Sequence, residues 1–224
     1  MPLAAHLSSQ VRQFIPPIAR DGRPFVIAAA AATVLTWRVR PLRYAGLVAT
    51  GALAAFFREP TRVTPHIKDA VIAPSDGQIC GVDVAVPPAE SGLGYTPMLR
   101  VSTFLSLTDV HVQRAPLDGV VLSVTHTPGE FLVASDPGAP ERNERTCLVL
   151  QAAGGQRLVA VQVAGLIARR IVTDADAGDT LKAGQTYGLI RFGSRVDLYL
   201  PADAQVNVLP GQRAVGGETV VARL

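Results

Sequence analysis

At 224 residues the chain can bury a core of ordinary size without disulfides or a structural metal. A net charge of +3 with 17% charged residues excludes both the basic stripe of a nucleic-acid binder and an acidic disordered tail. Mean hydropathy is +0.27, high for a soluble domain. The two cysteines, Cys80 and Cys147, show neither CxxC nor Cys/His spacing, so they are read as buried reduced thiols and no metal site is expected.

The hydrophobic excess is concentrated at the front. Residues 25–37 (FVIAAAAATVLTW) and 44–57 (YAGLVATGALAAFF) are uncharged apolar runs separated by RVRPLR. Each is too short to span a bilayer alone, because roughly 20 helical residues are needed. A monotopic hairpin or re-entrant pair fits better. Arg20, Arg23, Arg38, Arg40, Arg43, Arg58 and Arg62 flank the runs and suit anionic headgroups. A buried helical hairpin of a soluble core is the alternative, and a cleaved secretory signal fits less well because the first run starts late.

From about residue 69 the texture changes to short β-branched segments broken by Gly, Pro and Asp. Alternation in 99–107, 159–163 and 196–200 predicts strands, and no long amphipathic helix interrupts them. The expected fold is mainly β within an α+β class. Residues 1–63 form an N-terminal membrane-associating helical segment, and residues 64–224 a β-rich, barrel-sandwich-like catalytic domain. Two C-terminal stretches, AGDTLKAGQTYGLI at 177–190 and LPGQRAVGGETVVA at 209–222, share paired glycine turns around short strands. That pattern recurs in biotinyl and lipoyl barrel-sandwich domains, so a non-enzymatic carrier is one alternative. Lys182 nevertheless lacks the flanking residues a carrier lysine needs.

Three segments carry chemistry. IRFGSRVDLYLP at 190–201 interrupts a strand pattern with Gly193-Ser194, by itself a common turn dipeptide. VIAPSDGQI at 71–79 sets Asp76 before a glycine at the mouth of a strand, and FLSLTDVHVQRAPLDGVV at 104–121 sets His111 in a strand-like run. Taken singly, Asp-Gly is a tight-turn pair and a lone strand histidine is usually structural.

Together these segments resemble the phosphatidylserine decarboxylase family, in its compact bacterial and archaeal branch. FREPTR at 57–62, GEFLVASDPGAPERNERT at 129–146 and AGLIARRI at 164–171 extend the resemblance over most of the chain. It implies a precursor that cuts itself at Gly193-Ser194 into a β subunit, 1–193, and an α subunit, 194–224, which remain associated. Ser194 would become a covalent pyruvoyl group, the only cofactor, and would form a Schiff base with the amine of phosphatidylserine. Loss of CO₂ would then yield phosphatidylethanolamine.

In this reading Ser194 Oγ attacks the Gly193 carbonyl, and glycine leaves room for the approach. His111 is the candidate base and later acid, and Asp76 the residue that orients it. Asn143 and Arg145, in ERNERT, are candidate donors to a headgroup phosphate or carboxylate; a solvated turn is the alternative. The long branch carries two histidines three residues apart, and here Arg114 stands at the second place, so His111 serves both tasks or another group takes one. His126, in VTHTPGEF, could approach the site or serve a structural role, while His66 and His6 lie at the edges of the apolar front. The resemblance further implies a peripheral or monotopic protein on the cytoplasmic side of the cell membrane, compatible with a homo-oligomer of the αβ unit and without nucleic acid. A pyruvoyl decarboxylase for another serine lipid or an amino acid is the nearer alternative.

Overall fold

The computed structural model describes residues 16–224 apart from 135, 137, 168, 169, 192 and 193. The chain divides into two compact units, Met1–Thr61 and Arg62–Leu224. In the first, the two apolar runs form helices α1 (Arg23–Leu35) and α2 (Arg40–Phe56). Each has a proline in its first turn, where a missing N–H breaks no helical hydrogen bond. The helices close on each other at Gly46, where an added Cβ would stand 2.5 Å from Thr33 Oγ1. Thr33 is buried and its hydroxyl meets that of Thr50 at 3.3 Å.

Much of the remaining apolar surface of this unit faces outward. Ile27, Val34, Leu35 and Val48 are 66–86% exposed, which departs from the alternative of a hairpin buried in a core. At the helix–helix turn the Arg43 guanidinium lies 5.3 Å from the Trp37 ring centroid and 5.0 Å from that of Tyr44. No described helix is long and apolar enough to cross a membrane.

The second unit is β-rich, as the alternation predicted. Its first half holds β1 (Ala70–Ile72), β2 (Gly77–Ala85), β3 (Met98–Leu105), β4 (Val112–Arg114), β5 (Gly119–Thr127), β6 (Arg145–Ala152) and β7 (Arg157–Ala164). Its second half holds β8 (Ile171–Thr173), β9 (Thr180–Leu181), β10 (Thr186–Ile190), β11 (Ser194–Leu200), β12 (Gln205–Val206), β13 (Arg213–Ala214) and β14 (Val220–Arg223). A short helix, α3 (Ala139–Arg142), precedes β6. Eight strands form one sheet in the order β13-β2-β3-β11-β7-β6-β5-β9, flanked by the small sheets β1-β14-β12 and β4-β10-β8.

Alternation decides what each strand buries. Val196, Leu198 and Leu200 of β11 enter the main apolar core and its neighbour, whereas Tyr199 packs with Cys147, Val149 and Val159 on the other side. The same alternation corrects one expectation. Cys147 is buried but Cys80 is exposed, because Gln78 and Cys80 occupy the outward positions of β2 while Gly77 and Ile79 point in.

The unit is built on an internal repeat. Ala73-Pro74-Ser75-Asp76-Gly77 opens β2, and Ala115-Pro116-Leu117-Asp118-Gly119 opens β5. Where they cross they exchange hydrogen bonds: Ile72 N–H donates to Pro116 O at 2.7 Å and Arg114 N–H to Pro74 O at 2.8 Å. Each then meets one of the glycine-turn stretches. Gly217 N–H donates to Ala73 O and Gly184 N–H to Ala115 O, both at 2.9 Å. Gly211 N–H donates to Ile79 O and Gly178 N–H to Val121 O, both at 2.8 Å.

These four glycines need φ between 77° and 96°, a region side chains rarely enter. Even the bulges correspond, between Ile79 and Gly81 in one half and Val121 and Ser123 in the other. The large sheet is thus two four-stranded halves, β13-β2-β3-β11 and β9-β5-β6-β7, joined through the β11–β7 pair.

Candidate active site

Ser194 is the first residue of β11 and pairs with Leu105 on one side and Ala164 on the other. Its side chain lies on the same face as Val196, is fully buried, and its Oγ has no hydrogen-bond partner among the described residues. A buried hydroxyl without a partner is costly, so one at the head of a strand is a strong pointer to chemistry. Gly193 lies outside the described residues.

The antiparallel ladder determines what gathers near Ser194. β2 begins, β3 ends, β7 ends and β11 begins at one end of the sheet. Asp76 stands just before β2 there. The loop after β3 leads to His111, whose carbonyl accepts the Ile190 N–H at 3.1 Å. Four residues separate Ile190 from Ser194 along the chain, a reach of at most about 14 Å. Ser194, His111 and Asp76 therefore share one end of the fold.

His111 is fully buried, and its Nδ1 lies 3.0 Å from the Asp109 carbonyl oxygen. A carbonyl only accepts, so Nδ1 carries the proton and Nε2 holds the basic lone pair of the neutral ring. Asp109 is itself clamped: its Oδ2 accepts from Ser106 N–H at 2.9 Å and Ser106 Oγ at 2.8 Å, and its Oδ1 from Arg213. Burial pushes the Asp109 carboxyl upward, but those Ser106 and Arg213 donors outweigh it and hold the group below the usual aspartate value.

The His111 carbonyl is fixed by a buried relay. Thr173 Oγ1 donates to Gln162 Oε1, Gln162 Nε2 to Gln113 Oε1 and Gln113 Nε2 to His111 O, each at 2.9 Å. Asp109, Gln113 and Gln162 were missed by the sequence reading. Only the Ser106-x-x-Asp109 spacing carried a local signal, that of an Asx-type turn.

Asp76 Oδ2 lies 2.7 Å from Arg62 Nη2, and its Oδ1 accepts the Gly216 N–H at 2.8 Å. Gly77 follows because an added Cβ would fall 2.3 Å from Phe104 O. Arg114 donates through Nη1 to Gly184 O at 2.9 Å, and its stem packs on Gly217, bracing both glycine turns.

The two headgroup candidates are occupied otherwise. Asn143 is fully buried; its Nδ2 donates to Leu132 O at 2.9 Å and Ala164 O at 2.7 Å, and its Oδ1 accepts from Leu132 N–H at 2.9 Å. It braces Ala164, the strand partner of Ser194. Arg145 pairs with Glu90 and donates to Glu141 O at 2.8 Å. It shares the alternation of Cys147 and Val149, on the sheet face opposite the Ser194 side chain. His126 rests its Nδ1 against Thr146 Oγ1 at 3.1 Å near the end of β5.

Three clefts matter by position. One of about 430 Å³, lined by His66, Asp118 and Gly154, lies at the far end of the sheet from Ser194. Another of about 440 Å³ lies on the outer face, lined by Cys80, Arg100 and Arg195. A third, of about 200 Å³, is walled by Leu105, the β3 partner of Ser194, and by Gly165, which follows its β7 partner Ala164.

A buried serine hydroxyl at a strand head, at the same end of the fold as a histidine whose Nδ1 is held by a carbonyl, is the pattern expected of a class of hydroxyl-based catalytic sites. Comparison with known proteins narrows the class. Residues 50–222 match the phosphatidylserine decarboxylase family. The chain is 56% identical over 219 residues to the phosphatidylserine decarboxylase proenzyme of Mycobacterium avium, covering 98% of this chain and 91% of that one. It is 54% identical over 217 residues to the proenzyme of Mycobacterium bovis BCG, covering 97% and 94%, and 52% identical over 219 residues to that of Mycobacterium ulcerans, covering 98% and 91%. The chain belongs to the phosphatidylserine decarboxylase family.

Proposed function

We propose that the chain is a self-processing decarboxylase that converts phosphatidylserine to phosphatidylethanolamine and CO₂, using a pyruvoyl group made from Ser194. The observation that carries this reading is the buried Ser194 Oγ, which has no partner among the described residues. A serine kept for its hydroxyl alone would be hydrogen-bonded in such a place, whereas one that attacks its own preceding peptide needs the oxygen uncommitted.

In self-cleavage the Ser194 Oγ–H gives its proton to His111 Nε2 and the oxygen bonds to the Gly193 carbonyl carbon. The Gly193–Ser194 C–N bond breaks, the released nitrogen takes a proton, and an ester results. Loss of the Ser194 Cα proton then expels the Gly193 carboxylate. Tautomerisation and hydrolysis of the remaining dehydroalanine release ammonia and leave the pyruvoyl carbonyl. The site fits that group: it is buried, carries no competing hydrogen bond at the reacting atom, and adjoins a small apolar cleft. When formed, the group supplies an electron sink for loss of a carboxylate.

The chain's own residues do the rest. The Asp109 carbonyl keeps the proton on His111 Nδ1, so the ring can accept and return a proton only at Nε2. Asp76 orients His111 and also holds the Gly216 turn of the α subunit against β2. The α and β subunits stay together because β11 is hydrogen-bonded on both edges and β13 and β14 pair with β2 and β1. The N-terminal unit, with its outward apolar faces and flanking arginines, rests on the bilayer surface.

The test is mass spectrometry of purified protein joined to a CO₂-release assay on phosphatidylserine. A C-terminal fragment beginning at residue 194 and blocked by a carbonyl is expected, and Ser194→Ala should yield neither fragment nor CO₂. An intact, active chain overturns the reading.

A further inference from the structure

The apolar cleft beside Ser194 opens onto a rim that the fold itself leaves uncovered. Leu107, Val133, Leu166 and Ile167 are 51–62% exposed, on the loops that follow β3, precede α3 and follow β7. Four large aliphatic side chains gathered in water around one opening form a contiguous apolar patch, of the kind that marks an interaction site. The cleft they surround is walled by Leu105, one strand neighbour of the reactive serine, and by Gly165, the residue after its other neighbour Ala164.

The charges around the rim favour one partner. Arg170 is exposed on the loop after β7. Arg213, 63% exposed, is paired with Asp109, two residues beyond Leu107. The nearby acids are neutralised or engaged: Asp109 by Arg213, Glu130 by Arg142, and Asp136 as acceptor from Gly138 N–H. Apolar tips beside the exposed Arg170, with the neighbouring acids engaged, match an anionic lipid surface, in which side chains enter the acyl boundary and a guanidinium group meets phosphate.

We propose that this rim seats the catalytic unit itself on the phospholipid bilayer, independently of the N-terminal helices. The cleft receives the acyl-glycerol part of a lipid whose headgroup amine reaches residue 194. The proposal rests on the decarboxylase reading above and adds to it the route by which a lipid reaches a buried residue without leaving the membrane.

The test uses the self-cleaved full-length protein and two substrates, phosphatidylserine in phosphatidylcholine vesicles and a short-chain phosphatidylserine dissolved as monomers. In a Leu166→Asp, Ile167→Asp double variant the ratio of vesicle to monomer turnover should fall about tenfold or more, the loss expected when two aliphatic insertions are replaced by charges. An unchanged ratio overturns the proposal. A second measurement does not depend on how that variant folds. In a Cys80→Ser background, since Cys80 is the exposed thiol, Leu166→Cys carries an environment-sensitive fluorophore. Vesicles should shift its emission to the blue and brominated acyl chains should quench it; emission that vesicles leave unmoved overturns the lipid seat. Self-cleavage and monomer turnover report on the decarboxylase reading alone, so the two ideas fail separately.

Discussion

The twin Asp-Gly corners of the repeat do the same backbone work in different surroundings. Asp76 accepts the Gly216 N–H and Asp118 the Ala183 N–H, each at 2.8 Å, and each thereby fastens a glycine turn. The second oxygen of Asp76 is held by Arg62, with both side chains 16% exposed, whereas that of Asp118 is held by Lys182 in a pair 63–73% exposed. One corner lies at the Ser194 end of the sheet, the other at the opposite end.

There the two halves part company. At the far end β6 passes to β7 through a tight hairpin at Ala153–Gly155. At the near end β3 instead runs into the loop that carries Asp109 and His111, and β11 is entered from β10. A shared scaffold is opened at one end only, and Ser194, Asp76 and His111 lie at that end.

Four experiments can break that comparison, taken from the largest expected effect. Asp76→Ala leaves Arg62 and the Gly216 N–H without their carboxylate, and should cost about 3 kcal/mol and prevent self-cleavage. Asp118→Ala should cost no more than about 1 kcal/mol and leave self-cleavage intact. Denaturant unfolding and the appearance of the C-terminal fragment measure both, and equal effects would dissolve the distinction.

Glycine replacement gauges the corners themselves. A Cβ at Gly119 would meet Gln151 O at 2.6 Å, so Gly119→Ala should cost about 1–3 kcal/mol, and Gly77→Ala more, since its clash is tighter and its φ is 151°. Self-cleavage should fail only for Gly77→Ala.

Asp109 supplies a pH signature for the near end. Its folded pKa lies below the unfolded value, so its stabilisation is fully present above the ordinary aspartate pKa of about 4 and is lost as pH falls through the folded value. The stability gap between wild type and Asp109→Asn should therefore shrink as pH drops from neutral to about 3. Unfolding midpoints across that range would show it, and a constant gap would remove Asp109 from the account. Lys182→Ala, at the exposed corner, should change stability by less than about 0.5 kcal/mol in the same assay.

Much of this was legible in the residues. Period-2 alternation announced β3, β7 and β11, the uncharged runs announced α1 and α2, and the paired glycine turns at 177–190 and 209–222 were visible as a repeat. Its other half, Ala-Pro-x-Asp-Gly twice over, was equally plain in the letters but lay hidden inside motifs read one at a time. What pairs Asp76 with Gly216, or Gln113 with Gln162, is a hydrogen bond between segments far apart in sequence, and no local pattern encodes it. Cys80 was misplaced because an apolar neighbourhood says nothing about which side of a strand a residue takes.

Under the proposed cleavage before Ser194, the position of β11 bears on how the cut protein ends its life. Severed at its head, this strand remains in the interior of an eight-stranded sheet, held along both edges. Its release requires two ladders to unzip together, so escape is slow. Refolding after escape is a meeting of two molecules, one of them chemically altered, and its yield falls with dilution. The precursor folds as one chain and can try again, whereas the mature enzyme has a single assembly to lose.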